Sequence, residues 1–112
     1  MAIQFSEPCW FNRAMNNQFS GHYLERIKGR TFTLNLKGKD YKFCVDSFAY
    51  TTFTFADYKT GFKMFHVEKR TLEEAGEAFI EFMASREDEY LKKAKEQQRL
   101  FGVANDGRRK HD

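Results

Sequence analysis

At 112 residues the chain has room for one domain and little else. It is 41% hydrophobic and 17% aromatic, with 13 Phe, a composition that excludes wholesale disorder. A net charge of +3 permits nucleic-acid binding without demanding it, because dedicated nucleic-acid domains carry a denser basic stripe. The longest unbroken apolar runs are three residues, as in Phe48-Ala49-Tyr50, far from the ~20 that cross a bilayer. No membrane role is expected, and without a basic-then-apolar leader the chain reads as cytoplasmic.

Residues 1–29 read as an irregular segment. Ile3 and Phe5 alternate with polar neighbours, which suits a short strand before Pro8. Trp10, Phe11, Met15 and Phe19 are too apolar for a free tail, so this stretch is expected to lie across the domain. Tyr23 and Ile27 stand at i, i+4 and suit a helical turn over residues 22–28, ended by Gly29.

Antiparallel strands are predicted over residues 30–67. Phe32, Leu34 and Leu36 alternate with polar residues, as do Tyr41, Phe43 and Val45, and Gly38 between them supplies the positive φ of a hairpin turn. Past Ser47 the parity slips, which predicts a bulge or sharp bend near Thr51-Thr52. A turn at residues 56–61 precedes a last strand at residues 62–67. That strand has apolar groups on both faces, so both faces of the sheet need a cover.

One helix is predicted over residues 71–101. Thr71 and Glu74 form a capping box, and Leu72, Ala75, Phe79, Phe82 and Met83 recur at helical spacing. The apolar pattern thins beyond Ala84, so the second half is expected to project past the sheet. Residues 102–112 read as a basic flexible tail. The fold class expected is therefore α+β: a small antiparallel sheet of three to five strands, packed on one face by a long C-terminal helix, in a single domain.

Catalytic chemistry is poorly represented. Cys9 and Cys44 read as buried apolar groups in a reduced compartment. Cys44, Asp46 and His66 form the one conceivable nucleophile–base set, without a glycine-rich turn to expose the thiol. His22, His66 and His111 lack metal-ligand spacing, so neither a metal nor a cofactor is expected.

Two binding readings remain. Glu73, Glu77, Glu81, Glu87, Asp88 and Glu89 either complement the helix dipole or present an acidic ridge to a basic partner. The crowded aromatics of residues 48–65 fill a sheet packed on both faces, form a protein-binding or self-association surface, or make a stacking platform for single-stranded bases flanked by Lys42, Lys59 and Lys63. Together they point to a small non-enzymatic binding protein, a regulator or inhibitor in the style of phages and mobile elements. Its expected contacts on a larger protein are Phe53, Phe55, Tyr58, Glu77, Glu81 and Glu87, and a homodimer fits the same surface. The rival reading is a nucleic-acid binder using Arg30, Lys42, Lys63, Lys92, Lys93, Arg108, Arg109 and Lys110. It draws on a loose likeness to small domains that insert a three-stranded sheet into a DNA groove.

Overall fold

In a computed structural model, which describes residues 3–19 and 21–105, the chain folds into five strands followed by two helices. The strands β1 (Cys9–Asn17), β2 (Gly21–Leu36), β3 (Lys39–Phe48), β4 (Thr52–Asp57) and β5 (Lys63–Glu68) form an antiparallel meander in sequence order. The helices are α1 (Leu72–Met83) and α2 (Glu87–Phe101). The α+β class and the strand count agree with the sequence.

The hairpin predicted from alternation is β2–β3. Leu36 pairs with Lys39 across Lys37-Gly38, and both turn residues have positive φ, 53° and 85°. That is the dihedral pattern whose twist matches the flanking strands. The parity slip after Ser47 is a second turn, not a bulge. β3 ends at Phe48, the chain reverses through residues 49–51, and β4 restarts with Phe53 and Phe55 joining Phe43 and Val45 in one core.

The N-terminal third differs from expectation. Residues 9–29 are neither irregular nor helical: β1 and the first half of β2 pair from Cys9↔Gly29 to Asn17↔Gly21. Tyr23 and Ile27, four apart, share a face on a strand as well as on a helix, because four is a multiple of the strand period. Ile3 and Phe5 form no strand. Ser6 ties this segment to β2, its N–H donating to the Thr31 carbonyl and its hydroxyl accepting from the Thr31 N–H, both at 2.8 Å.

The 16-residue β2 serves two partners, β1 with its first half and β3 with its second. At the junction, a Cβ on Gly29 would lie 2.2 Å from the Val45 carbonyl oxygen and 3.0 Å from the Phe11 ring. Only glycine lets the strand pass so close to β3. The β1–β2 hairpin thereby folds over the second face of the sheet, where Phe11 packs on Cys44 and Ala56. Beside them Arg13 donates to the Asp46 carboxylate at 2.8 Å.

The single helix of residues 71–101 is also corrected. Thr71 caps α1 as predicted, accepting from the Glu74 N–H at 3.2 Å. The helix then breaks at residues 84–86, and Glu87, Asp88 and Glu89 form the acidic first turn of α2. The break turns α2 back onto the domain, so Tyr90 is buried and Leu91 and Ala94 pack on the core. Burying one large side chain contributes roughly 1.5–3 kcal/mol, enough to offset the backbone bonds interrupted at the break, each worth about 1 kcal/mol net.

The core lies between the sheet and α1. Phe79 is wholly buried, with ring centroids 4.6 Å from Phe55, 5.3 Å from Phe43 and 5.7 Å from Phe32. The mix of stacked and edge-on contacts is the one aromatic quadrupoles prefer. Residues 102–105 are packed rather than a tail. Asn105 is buried, its Oδ1 accepting from the Asn12 N–H at 2.8 Å and its amide donating to the Tyr58 carbonyl at 2.6 Å. Residues 106–112 lie outside the described residues.

Candidate functional site

The predicted contact residues do not form one surface. Phe53 and Phe55 are core residues, and Phe55 stacks on Phe79. The reason is their strand: on β4 they face α1 from an inner position of the sheet, so their apolar area is already removed from water. Tyr58 is half-buried, with the Lys42 ammonium 4.1 Å from its ring centroid. Glu77 and Glu81 are exposed on α1, whereas Glu87 is half-buried and opens α2. The acidic ridge is thus split: Glu73 opens α1 and Glu87, Asp88 and Glu89 open α2, each at the positive end of its helix, while Glu77 and Glu81 lie in the middle and last turn of α1. Asp88 within it pairs with Lys37 at 2.6 Å.

The predicted cations are dispersed. Arg30 donates to the Ser6 carbonyl at 2.9 Å. Lys63 and Lys93 flank a cleft of about 240 Å³ beside Met64, Phe82 and Tyr90, while Lys42 belongs to a different groove. Lys92 is exposed on α2. Arg108, Arg109 and Lys110 lie outside the described residues. Among the described residues α1 packs on one face of β3–β5 and the β1–β2 hairpin reaches the other through Phe11.

The conceivable nucleophile–base set is not assembled. Cys44 lies buried beneath Phe11, its Sγ 3.7 Å from the Ala56 carbonyl, and burial pushes its thiol pKa up, away from a reactive thiolate. His66 is exposed on β5, with β4 between it and Cys44. Cys9 and Cys44 are both free thiols. Among the described residues no group of three His, Cys, Asp or Glu side chains is placed to hold a metal. Among the described residues no helix is long and apolar enough to cross a membrane.

What the sequence reading missed is the β3–β4 turn. Phe48 is 75% exposed and Tyr50 92% exposed, the latter among the most solvent-open large side chains of the fold. Ala49 and Tyr50 have φ of 53° and 67°. A left-handed conformation costs a residue with a Cβ roughly 1–2 kcal/mol, and Gly, Asn or Asp usually occupies such positions. Here neither does. The turn is nonetheless held firmly: Phe48 pairs with Thr52, and the Thr51 carbonyl accepts from the Lys69 N–H at 2.9 Å. The available signal was the apolar triplet at residues 48–50, which sits between two strands where a turn usually shows Gly or Asn.

A second apolar surface joins the hairpin to the end of α2. His22, Phe62 and Phe101 approach one another, with ring centroids 4.6 Å apart for His22–Phe101 and 5.2 Å for Phe62–Phe101. With Leu24 and Leu100 they line a groove of about 730 Å³. Further along the hairpin, Trp10 is exposed beneath the Arg26 guanidinium, 5.9 Å from its ring centroid.

No protein-family model matches the chain, and no curated protein or solved structure shows significant similarity to it.

Proposed function

We propose that the chain is a non-enzymatic binding protein, a small regulator or inhibitor that docks on a larger protein. The docking element is the Phe48–Tyr50 tip, inserted into an apolar pocket of the partner. One observation supports this above the rest: two aromatic rings, Phe48 and Tyr50, stand in solvent at a turn whose left-handed backbone at Ala49 and Tyr50 disfavours residues with a Cβ. Stability is given up there for no visible internal contact, a pattern associated with functional sites. Rigid aromatic anchors at the centre of an interface carry most of its binding energy. Lys69 and Arg70 are exposed beside the tip and suit a pocket with an acidic rim.

The test replaces the tip with the residues such a turn prefers, Ala49→Asn with Tyr50→Gly. This variant is expected to be stabilised by about 1 kcal/mol in chemical denaturation, because the left-handed pair is relieved. In affinity capture from a host lysate it is expected to lose the captured protein by roughly 30-fold or more, the effect of removing one hot-spot ring. Equal capture by both proteins would overturn the reading. Sedimentation of both proteins separates a foreign partner from a second copy: a wild-type dimer that the variant cannot form would make the partner this chain itself.

A further inference from the structure

At the other end of β3 from the docking tip lies a groove of different chemistry. It is bounded by the start of β3, the β4–β5 turn and α2, and its volume is about 580 Å³, within the ~300–1,000 Å³ range of small-ligand sites. Lys39, Lys42, Lys59 and Lys95 converge on it, and Tyr41 and Tyr58 line it between them. Two of the ammonium groups sit over the rings, Lys42 at 4.1 Å from the Tyr58 centroid and Lys39 at 5.9 Å from that of Tyr41. Among the described residues the ion pairs are Arg13–Asp46 and Lys37–Asp88, so Lys39, Lys59 and Lys95 have no carboxylate partner there.

Among the described residues two carboxylates line the groove against the four lysines. Asp57 is buried and saturated: its Oδ2 accepts from the Thr60 N–H and hydroxyl at 2.9 and 2.7 Å, and its Oδ1 from the Tyr90 hydroxyl at 2.5 Å. Asp40 stands at the rim and accepts from the Asn35 amide at 3.1 Å. The groove therefore presents an excess of positive charge. Its walls are held in place, because Tyr90 anchors α2 to Asp57 and Asn105 bridges β1 to the Tyr58 carbonyl.

We propose that this groove binds a nucleoside phosphate, with the lysines on the phosphates and a base against the tyrosine rings. Cations interleaved with aromatic rings are the combination that holds phosphodiester backbones and stacked bases. The Lys39 ammonium over Tyr41 can swing to a phosphate and free that ring face for the base. The ligand is either a free nucleotide or one residue of a single strand; the chemistry is shared. Of the cations expected to flank a stacking platform, Lys42 and Lys59 lie here and Lys63 does not.

Fluorescence anisotropy of a labelled single-stranded oligothymidylate, at about 50 and 200 mM salt, tests the proposal. Binding is expected at the lower salt and weaker at the higher. The triple variant Lys39→Ala, Lys59→Ala, Lys95→Ala is expected to weaken it at least ten-fold and to flatten the salt dependence by roughly two in log–log slope. Lys92→Ala, on α2 outside the groove, leaves it unchanged. Tyr58→Leu is expected to weaken binding by roughly ten-fold and Tyr58→Phe to preserve it; if Tyr58→Leu does not fold, Tyr41→Leu gives the same reading. Competition by thymidine triphosphate as strong as by unlabelled strand assigns the site to free nucleotides, and weak competition assigns it to strands. Absence of binding by both the labelled strand and a labelled thymidine triphosphate, a triple variant that binds like wild type, or inorganic triphosphate competing as strongly as the better of thymidine triphosphate and unlabelled strand would each overturn the proposal. The tip variant Ala49→Asn/Tyr50→Gly retains this binding, so the two sites fail or succeed separately.

Discussion

On the α1 side of the sheet, Phe32, Phe43 and Phe55 close around Phe79, with Phe65 and Phe82 stacked behind them at 4.6 Å. On the hairpin side, Phe11 packs with Cys44 and Ala56 in a smaller cluster edged by Cys9, Ile27 and Tyr58, and the neighbouring space is taken by Arg13 and Asp46. The first side is held by contacts that have little directional demand and sum with area. The second depends on a few directional ones: the ion pair, the Ala14 N–H to the Gly61 carbonyl at 2.8 Å, and the Asn12–Asn105 bonds. Aromatic packing supplies the stability of this fold, while polar pairs fix where the hairpin lands. A buried ion pair can be nearly neutral overall and still be costly to break.

That contrast predicts a graded set of effects. Phe79→Ala should be the most damaging, costing about 3–5 kcal/mol against a total of roughly 5–15 kcal/mol for a native domain. A thermal melt indistinguishable from wild type would mean that the aromatic side does not carry the fold.

Arg13→Met comes next, at roughly 3 kcal/mol, because it strands the Asp46 carboxylate under the hairpin. Adding Asp46→Leu should recover most of that loss, leaving the double variant within about 1 kcal/mol of wild type. Urea denaturation of the two single variants and the double one measures the coupling. Simple additivity would show that the pair does not act as a unit.

The smallest effect concerns pH. Burial beneath the hairpin raises the pKa of Asp46 above 3.8, its ordinary value, and the neighbouring Arg13 charge only partly opposes this. The folded state thus holds this proton more tightly than the unfolded chain does. Ionising Asp46 costs stability as pH rises through the window between the ordinary and the raised value, and that cost is absent below it. In Arg13→Met the opposing charge is gone, so the penalty of the substitution should shrink as the pH is lowered and Asp46 takes up its proton. A penalty that stays constant on acidification would place the damage in lost packing instead.

The functional surfaces were less legible in the sequence than the fold. Phe53, Phe55 and Phe48 have the same composition signal, yet two are core and one is solvent-exposed. The difference is whether α1 lies above the residue, which no local pattern records. The lysines of the groove are separated in sequence by up to 56 positions, from Lys39 to Lys95, and meet only because α2 turns back. Three acids at Glu87, Asp88 and Glu89, in the middle of an apparent single helix, are the signature of a new helix start.

By itself the sequence determined the α+β class, the β2–β3 hairpin with Gly38 in its turn, and the capped start of α1. Each of these rests on interactions within a few residues, namely side-chain alternation, a positive φ and a hydroxyl accepting from an N–H three positions on. Only the tertiary structure decided that residues 9–29 form a hairpin, that the helix breaks after Met83, and which aromatics reach solvent. Those outcomes depend on contacts between segments far apart in the chain. The Gly29 bend needs Val45 beside it, α2 needs Asp57 to receive Tyr90, and a ring is core only when another element arrives to cover it.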